Sequence, residues 1–312
     1  MAKALITGIN GFAGYHLNNH LLNCGYEVFG TEKPVGNNGR KDNLFSVDIQ
    51  DFEGIKEVIE EVLPDFIYHL AALTSPAESF KNPSATITNN ISGQLNILES
   101  VKQLNLIDTK VLVVSSAEIY GGAEHHELPM TENTPLRPRS PYAVSKIAQD
   151  YLGYQYFASQ NVKCIRVRPF NHIGPQQGPF FVVPTFAKQI AEIEKGKKES
   201  VMMVGNLESR RDFTDVRDIV KAYEMLMVKG EVGDVYNIGS GKSHQIQEIL
   251  DILLSNSSAD VIVEQDPQLM RPSDIPELRC DYSKLYHATG WKPEISLEQS
   301  LKDTLDYWRN IV

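Results

Sequence analysis

Ala4-Leu5-Ile6-Thr7-Gly8-Ile9-Asn10-Gly11-Phe12-Ala13-Gly14 passes from an apolar strand into the start of a helix, with glycine at every third position of the turn. Gly8 lets the chain turn sharply, Gly11 lets backbone approach a pyrophosphate, and Gly14 lets the helix pack on the strand. The amides of the helix N-terminus then face the phosphates. A tight strand-to-helix turn also occurs with no ligand, but its place after the first strand of a βαβ unit favours a dinucleotide. Gly8, Asn10, Gly11, Phe12, Ala13 and Gly14 are therefore the first candidate cofactor contacts.

Short β-rich runs follow at Glu27 to Thr31, Phe66 to Leu70, Lys110 to Ser115 and Lys163 to Arg168. Between them, Phe12 to Asn23, Asp51 to Val62, Pro83 to Leu104 and Pro141 to Gln160 carry apolar residues at helical spacing. Strand and helix in alternation predict an α/β fold, a Rossmann-like doubly wound parallel sheet. After Pro169 the pattern loosens, with helix signals near Pro184 to Lys195, Asp215 to Val228, Ser243 to Leu254 and Ser296 to Arg309. The expected organisation is a dinucleotide-binding domain over 1–170, rejoined by about 215–240, and a smaller C-terminal α/β substrate lobe over 171–312.

Composition narrows the partners. A formal net charge of −10 over 312 residues argues against nucleic acid or an anionic membrane. An anionic ligand needs its own basic cluster. Cys24, Cys164 and Cys280 are far apart, with no metal-ligand spacing, so no disulfide framework and no metal site is expected. No apolar stretch reaches membrane-spanning length and the residues from Met1 into the first strand show no basic-then-apolar signal, which makes a cytoplasmic location the expectation.

In an open parallel sheet, ligands bind beyond the carboxyl ends of the strands. After the second strand, Glu32 falls where a carboxylate holds the adenosine ribose hydroxyls and repels the extra phosphate of NADP, which favours NAD(H) over NADP(H). Lys33 and Arg40 offer a 2′-phosphate the opposite welcome. Asp48 and Ile49 are candidates for the adenine end, and the small residues of Leu70-Ala71-Ala72 let a cofactor lie close. His69 reads as a satisfied core histidine. The fourth strand ends in Ser115-Ser116-Ala117-Glu118-Ile119-Tyr120-Gly121, and the helix opened by Ser140-Pro141 carries Tyr142 and Lys146 one turn apart. Tyrosine ordinarily titrates near pH ~10, and an ammonium nearby favours its phenolate, so the pair suits proton exchange with a carbonyl. Ser116 adds a hydrogen bond to the same oxygen. The carrier of the hydride is the cofactor.

With these motifs the chain resembles an extended short-chain dehydrogenase/reductase of the nucleotide-sugar-modifying group over nearly its full length. Ser116 to Gly121, Tyr142/Lys146, Arg168-Pro169-Phe170-Asn171 and Arg271-Pro272-Ser273-Asp274 carry the resemblance. It implies catalytic roles at C4 of a hexose for Ser116, Tyr142 and Lys146, and a cofactor contact at Pro169. It also implies diphosphate contacts at Arg211 and Arg271, and a substrate contact at Asn171. Independently, Arg210-Arg211 and Lys188 stand out as basic residues on an acidic chain, though Arg210 and Arg217 suit plain salt bridges. Asp274 is a candidate acceptor for sugar or ribose hydroxyls.

Phe170 to Pro175, Val204 to Glu208, Arg211 to Asp218 and Arg271 to Asp274 look most like the GDP-sugar branch, especially its GDP-6-deoxy-4-keto-mannose reductases, which form GDP-rhamnose. Close to these stand the GDP-mannose 4,6-dehydratases, which need an extra carboxylate, and Glu118 is the candidate. Ser116, Phe213 and a second-strand loop without an arginine run lean away from dehydration. Nucleotide-sugar 4-epimerases and non-catalytic nucleotide sensors remain further readings, the last disfavoured by an intact Ser/Tyr/Lys set. The resemblance also implies a homodimer through the helices around 87–104 and 141–160, with Tyr151, Leu152, Tyr154 and Tyr156 as interface or core.

Overall fold

The computed structural model describes residues 1–34, 42–269 and 275–312. Seven strands form its main sheet: β1 (Lys3–Thr7), β2 (Glu27–Glu32), β3 (Leu44–Ser46), β4 (Phe66–His69), β5 (Lys110–Val114), β6 (Lys163–Pro169) and β10 (Val235–Ile238). All neighbours run parallel, in the order β10-β6-β5-β4-β1-β2-β3. The winding direction reverses at β1, so the crevice between the ends of β1 and β4 is the switch point at which such sheets take ligands. The central strands are buried on both faces, which is why β1 and β5 read as nearly unbroken apolar runs, whereas β6 carries Arg166 and Arg168 among its buried residues.

Two apolar layers cover the sheet. On one face, α1 (Phe12–Asn23), α7 (Val216–Lys229) and α9 (Ser283–Thr289) bury Leu17, Leu21, Ile219, Tyr223, Leu226 and Leu285. On the other, α2 (Phe52–Val62), α4 (Pro83–Gln103) and α5 (Pro141–Gln160) bury Ile55, Ile59, Ile97, Leu98 and Tyr156. The starts of α2, α4 and α5 are chemically marked. Asp51, Asn82 and Ser140 cap α2, α4 and α5 by accepting from Gly54, Ala85 and Ala143 N–H, and Pro83 and Pro141 stand in the first turn. A short α3 (Pro76–Lys81), which the periodicity of the sequence did not announce, docks beside α5.

The remaining elements are β7 (Asn171–Ile173), α6 (Val182–Glu194), β8 (Val201–Val204), β9 (Arg210–Asp215), β11 (Ser243–Gln245), α8 (Ile246–Ser255), β12 (Ile262–Gln265) and α10 (Leu297–Ile311). They build a second core from Val183, Phe186, Ile190, Leu250, Leu301 and Trp308. Its sheets are small: β7 and β9 pair in parallel with β11 antiparallel at the edge, and β12 pairs with β8. The helix expected from Ser243 begins only at Ile246, because Ser243–Gln245 pairs with β9 first. The chain enters this part at Asn171, returns to the first part through α7 and β10, leaves again, and comes back once more for α9 before ending in α10.

A buried ionic network joins the layers beside β6. Asp150 of α5, fully buried, accepts from Arg166 Nη1 at 2.8 Å and Arg168 Nε at 2.7 Å. Tyr154, next along the exposed side of α5, lies under the Arg166 guanidinium at 5.2 Å. Among the described residues no helix is long and apolar enough to cross a membrane, no cluster of three potential metal ligands occurs, and the three cysteines are unpaired.

Candidate active site

One cavity of about 470 Å³ opens over the carboxyl ends of β1, β4, β5 and β6 and continues into the second core. Its floor is the glycine turn. Gly8 takes φ +71°, and a Cβ on Gly14 would stand 2.3 Å from the Gly8 carbonyl oxygen and 2.7 Å from that of Ile9. The turn therefore admits only glycine at Gly14. Gly11 caps α1 with no side-chain acceptor, and the first turn holds no acidic residue, so its amides are left for an anion. This cradle fits the pyrophosphate of a dinucleotide. Thr7 Oγ1 accepts from the N–H groups of Leu70 and Ala71 and bonds His69 Nδ1 at 2.9 Å, locking the end of β4 to that of β1. His69 is buried and pushed down to about 3 by desolvation, aided by Lys146, so it is a neutral core histidine as expected.

Gly8, Gly11, Phe12, Ala13, Gly14, Leu70, Ala72, Ser116, Glu118, Tyr142, Lys146, Pro169, Asn171 and Arg211 all stand in the cavity wall. Asn10, Glu32 and Asp48 gather beyond its lip at the ends of β2 and β3: Asn10 Nδ2 donates to Glu32 Oε2, and Lys33 Nζ lies 3.8 Å from Asp48 Oδ2. Ala71 lies under Gly8. Ile49 is buried against Gly93, with its carbonyl accepting from Asn96 Nδ2, so packing holds its side chain. Lys188 is not in the wall. It pairs with Glu192 along α6 at 3.3 Å. Arg40, Arg271 and Asp274 lie outside the described residues. Arg217 is bound to Asp215 and Asp303, and Arg210 donates to the Ser243 carbonyl.

Tyr142 and Lys146 share one face of α5. Their helix is held from below: Ser145 Oγ donates to the Tyr142 carbonyl, Asn90 Nδ2 donates to Ser145 Oγ, and Ser115 Oγ donates to the Lys146 carbonyl. Lys146 Nζ donates to the Val114 carbonyl at 2.8 Å and sits 5.9 Å from the centre of the Tyr142 ring. The sequence suggests a phenol lowered by this amine, and the structure corrects that expectation. Burial raises Tyr142, a hydrogen bond with Ser116 draws it partly back, and the Glu118 charge pushes it up again. Burial also lowers Lys146 to about 7. At neutral pH Tyr142 is therefore a protonated phenol, able to give a proton.

The far wall carries Val183, Phe186, Met203, Val204 and Leu269 as an apolar slot, closed by Arg211, whose Nη1 donates to the Ile275 carbonyl at 2.7 Å. Residues that the motifs did not single out also line the cavity. His172 stacks on Phe12 at 5.8 Å, Gln177 donates to the His172 carbonyl, and Tyr223 rises from α7. His172 and Gln177 sit inside or beside a quoted motif, which was their only signal. Tyr223 follows helical apolar spacing and had none.

The profile of the family described as GDP-mannose 4,6 dehydratase matches residues 5–304. A GDP-6-deoxy-D-mannose reductase of Pseudomonas aeruginosa is 34% identical over 310 residues, covering 99% of this chain and 98% of that protein. A GDP-mannose 4,6-dehydratase of Vibrio cholerae serotype O1 is 30% identical over 345 residues, covering 96% and 91%. Among solved structures, RMD from Pseudomonas aeruginosa complexed with NADPH superposes with a TM-score of 0.89 at 34% identity, covering all of both chains. A Thermus thermophilus UDP-glucose 4-epimerase in complex with NAD gives 0.87 at 28% identity, covering 99% of this chain and all of that one. The chain belongs to the GDP-mannose 4,6-dehydratase family of extended short-chain dehydrogenases/reductases.

Proposed function

We propose that this chain reduces the C4 ketone of GDP-4-keto-6-deoxy-D-mannose to the GDP-6-deoxyhexose GDP-rhamnose. The observation that carries the reading is Tyr142, a buried phenol kept protonated, beside Ser116 and Lys146 in a cavity that joins the glycine turn to Arg211. The full-length likeness to a GDP-6-deoxy-D-mannose reductase supports it. In this reading Gly8, Gly11 and the α1 amides hold the cofactor pyrophosphate, and Glu32 takes the adenosine ribose hydroxyls, which favours NADH over NADPH. The bound nicotinamide supplies the hydride. Asn171 and Arg211 orient the sugar diphosphate, Ser116 bonds the C4 oxygen, and Tyr142 gives that oxygen its proton. Lys146 supports the phenolate left behind. Residues 1–170 with about 215–240 form the cofactor half, against which α9 also packs, and the rest of 171–312 forms the substrate lobe.

A second reading, GDP-mannose 4,6-dehydratase, draws on Glu118, whose charge in the cavity wall is close enough to act on Tyr142. Incubating the protein with GDP-mannose, and separately with the keto-sugar plus NADH or NADPH, separates the two. Stoichiometric consumption of reduced cofactor with the keto-sugar alone is the expected result. Conversion of GDP-mannose with no net cofactor change would overturn the reductase reading.

The charge on Lys146 sets a pH dependence. The amine is a cation below about 7 and neutral above it, while Tyr142 stays protonated throughout. The kcat/KM for the ketone is expected to be level below pH 7 and to fall about tenfold per unit above it. A profile still level at about pH 9 would remove the Lys146 charge from the reaction.

We also propose a cytoplasmic homodimer through α4 and α5. Leu95, Val144, Tyr151, Tyr154 and Phe157 are exposed there, whereas Tyr156 is buried with its hydroxyl on Glu99 and Leu152 packs inward.

A further inference from the structure

Ser116 and Glu118 stand on a segment with little stiffness of its own. Ala117–Ile119 is one turn of 3-10 helix, closed by Ile119 N–H to the Ser116 carbonyl at 3.3 Å and Tyr120 N–H to the Ala117 carbonyl at 3.0 Å. Such a turn is marginal alone. Yet its hydroxyl and carboxylate must hold position against Tyr142 and Lys146, which belong to a different element.

A continuous buried route connects the two. Asp150 lies one helical turn beyond Lys146 on the same face of α5. Its carboxylate takes Arg168 Nε at 2.7 Å. Arg168 Nη1 then donates to the Tyr120 hydroxyl at 3.0 Å and to the Glu132 carbonyl at 2.9 Å. The Tyr120 hydroxyl donates onward to Asn237 Oδ1 at 2.6 Å, and Asn237 donates to Met130 and Glu132. Tyr120 and Asp150 are 0% exposed and Arg168 4%. The guanidinium spends its donors on fixed acceptors in several directions, which only a planar fork can do.

We propose that Arg168 is a positioning residue, which through Tyr120 and Asp150 straps the Ser116–Glu118 segment to the helix carrying Tyr142 and Lys146. Arg168 does not line the cavity, so its influence on turnover passes through this strap and not through contact with a ligand. A misplacement of about 1 Å between reacting groups costs on the order of 10²-fold in rate, whereas binding at the glycine turn is indifferent to it. The inference rests on the catalytic assignment proposed above for Ser116, Tyr142 and Lys146.

The test uses Tyr120→Phe, which deletes one hydroxyl and keeps the ring, Arg168→Lys, and the double variant. Melting temperature, reduced-cofactor affinity by its fluorescence, and kcat are read for each. Tyr120→Phe is expected to melt within a few degrees of the parent and to bind cofactor unchanged, with kcat down about tenfold. Arg168→Lys is expected to lose about 10²-fold, and the double variant no more than Arg168→Lys, because both cut one strap. Folded Tyr120→Phe with parental kcat, or losses that multiply in the double variant, would overturn the proposal. The ratio to the parent is taken in whichever direction the parent turns over. Parental dehydration of GDP-mannose would defeat the reductase reading alone.

Discussion

Replacing Tyr142 with phenylalanine is expected to leave cofactor binding intact and to lower kcat by about 10²- to 10⁴-fold. The cradle for the cofactor is the turn from Gly8 to Gly14 and the amides of α1, none of which depends on the phenol. The ring of Tyr142 is buried, and phenylalanine keeps its shape. What disappears is the one hydroxyl that stands with Ser116 and is held protonated at neutral pH. Steady-state kinetics with the keto-sugar, paired with a fluorescence titration of reduced cofactor, measures both halves of the expectation. A loss of less than tenfold would mean that the proton reaches the sugar oxygen from another donor in the wall, with Glu118 the first to test.

The second large effect is on stability. Asp150→Asn removes the negative charge that Arg166 Nη1 and Arg168 Nε share, at 2.8 and 2.7 Å, from a site with no exposure. Removing one partner of a buried ion pair costs about 3–5 kcal/mol, because the remaining charge is left without compensation in a medium that solvates it poorly. Here two cations are left. Against a total of about 5–15 kcal/mol for a folded domain, the loss is a large fraction. A urea titration should show the midpoint lowered by that free energy divided by an unchanged slope. A shift worth less than about 1 kcal/mol would show that other acceptors, such as the Gly233 and Glu132 carbonyls, suffice for the two guanidiniums.

Much of this architecture is legible in the residues alone, and the reasons are local. The turn at Gly8 to Gly14 is set by steric limits on backbone, and the Tyr142/Lys146 pair by the repeat of a helix. Both signals are complete within a few residues. Distances through space are less legible. Lys188 lies in a sequence that fits either a phosphate contact or an α6 surface pair with Glu192, and only the packing of Phe186, Ala187 and Ile190 inward fixes which way the helix faces. Tyr151, Tyr154 and Tyr156 stand on one helix, yet two are exposed and one is buried. The direction of the Tyr142 shift escaped because proximity to lysine is visible in sequence while desolvation is not. Asp150 and Arg168 escaped for the opposite reason: charged side chains read as solvent-facing until partners from distant strands neutralise them.

The return of the chain through α7 and β10 has a consequence for how the protein is made. Leu17 and Leu21 of α1, near the beginning, bury themselves against Ile219, Tyr223 and Leu226, about two hundred residues later in synthesis. On the ribosome, the early strands can pair while one apolar flank of the nascent sheet is covered by α1 alone until α7 emerges. Contacts of such long sequence separation form slowly. The nascent chain thus carries an exposed greasy face for most of its translation, an interval in which a holding chaperone would find its binding surface.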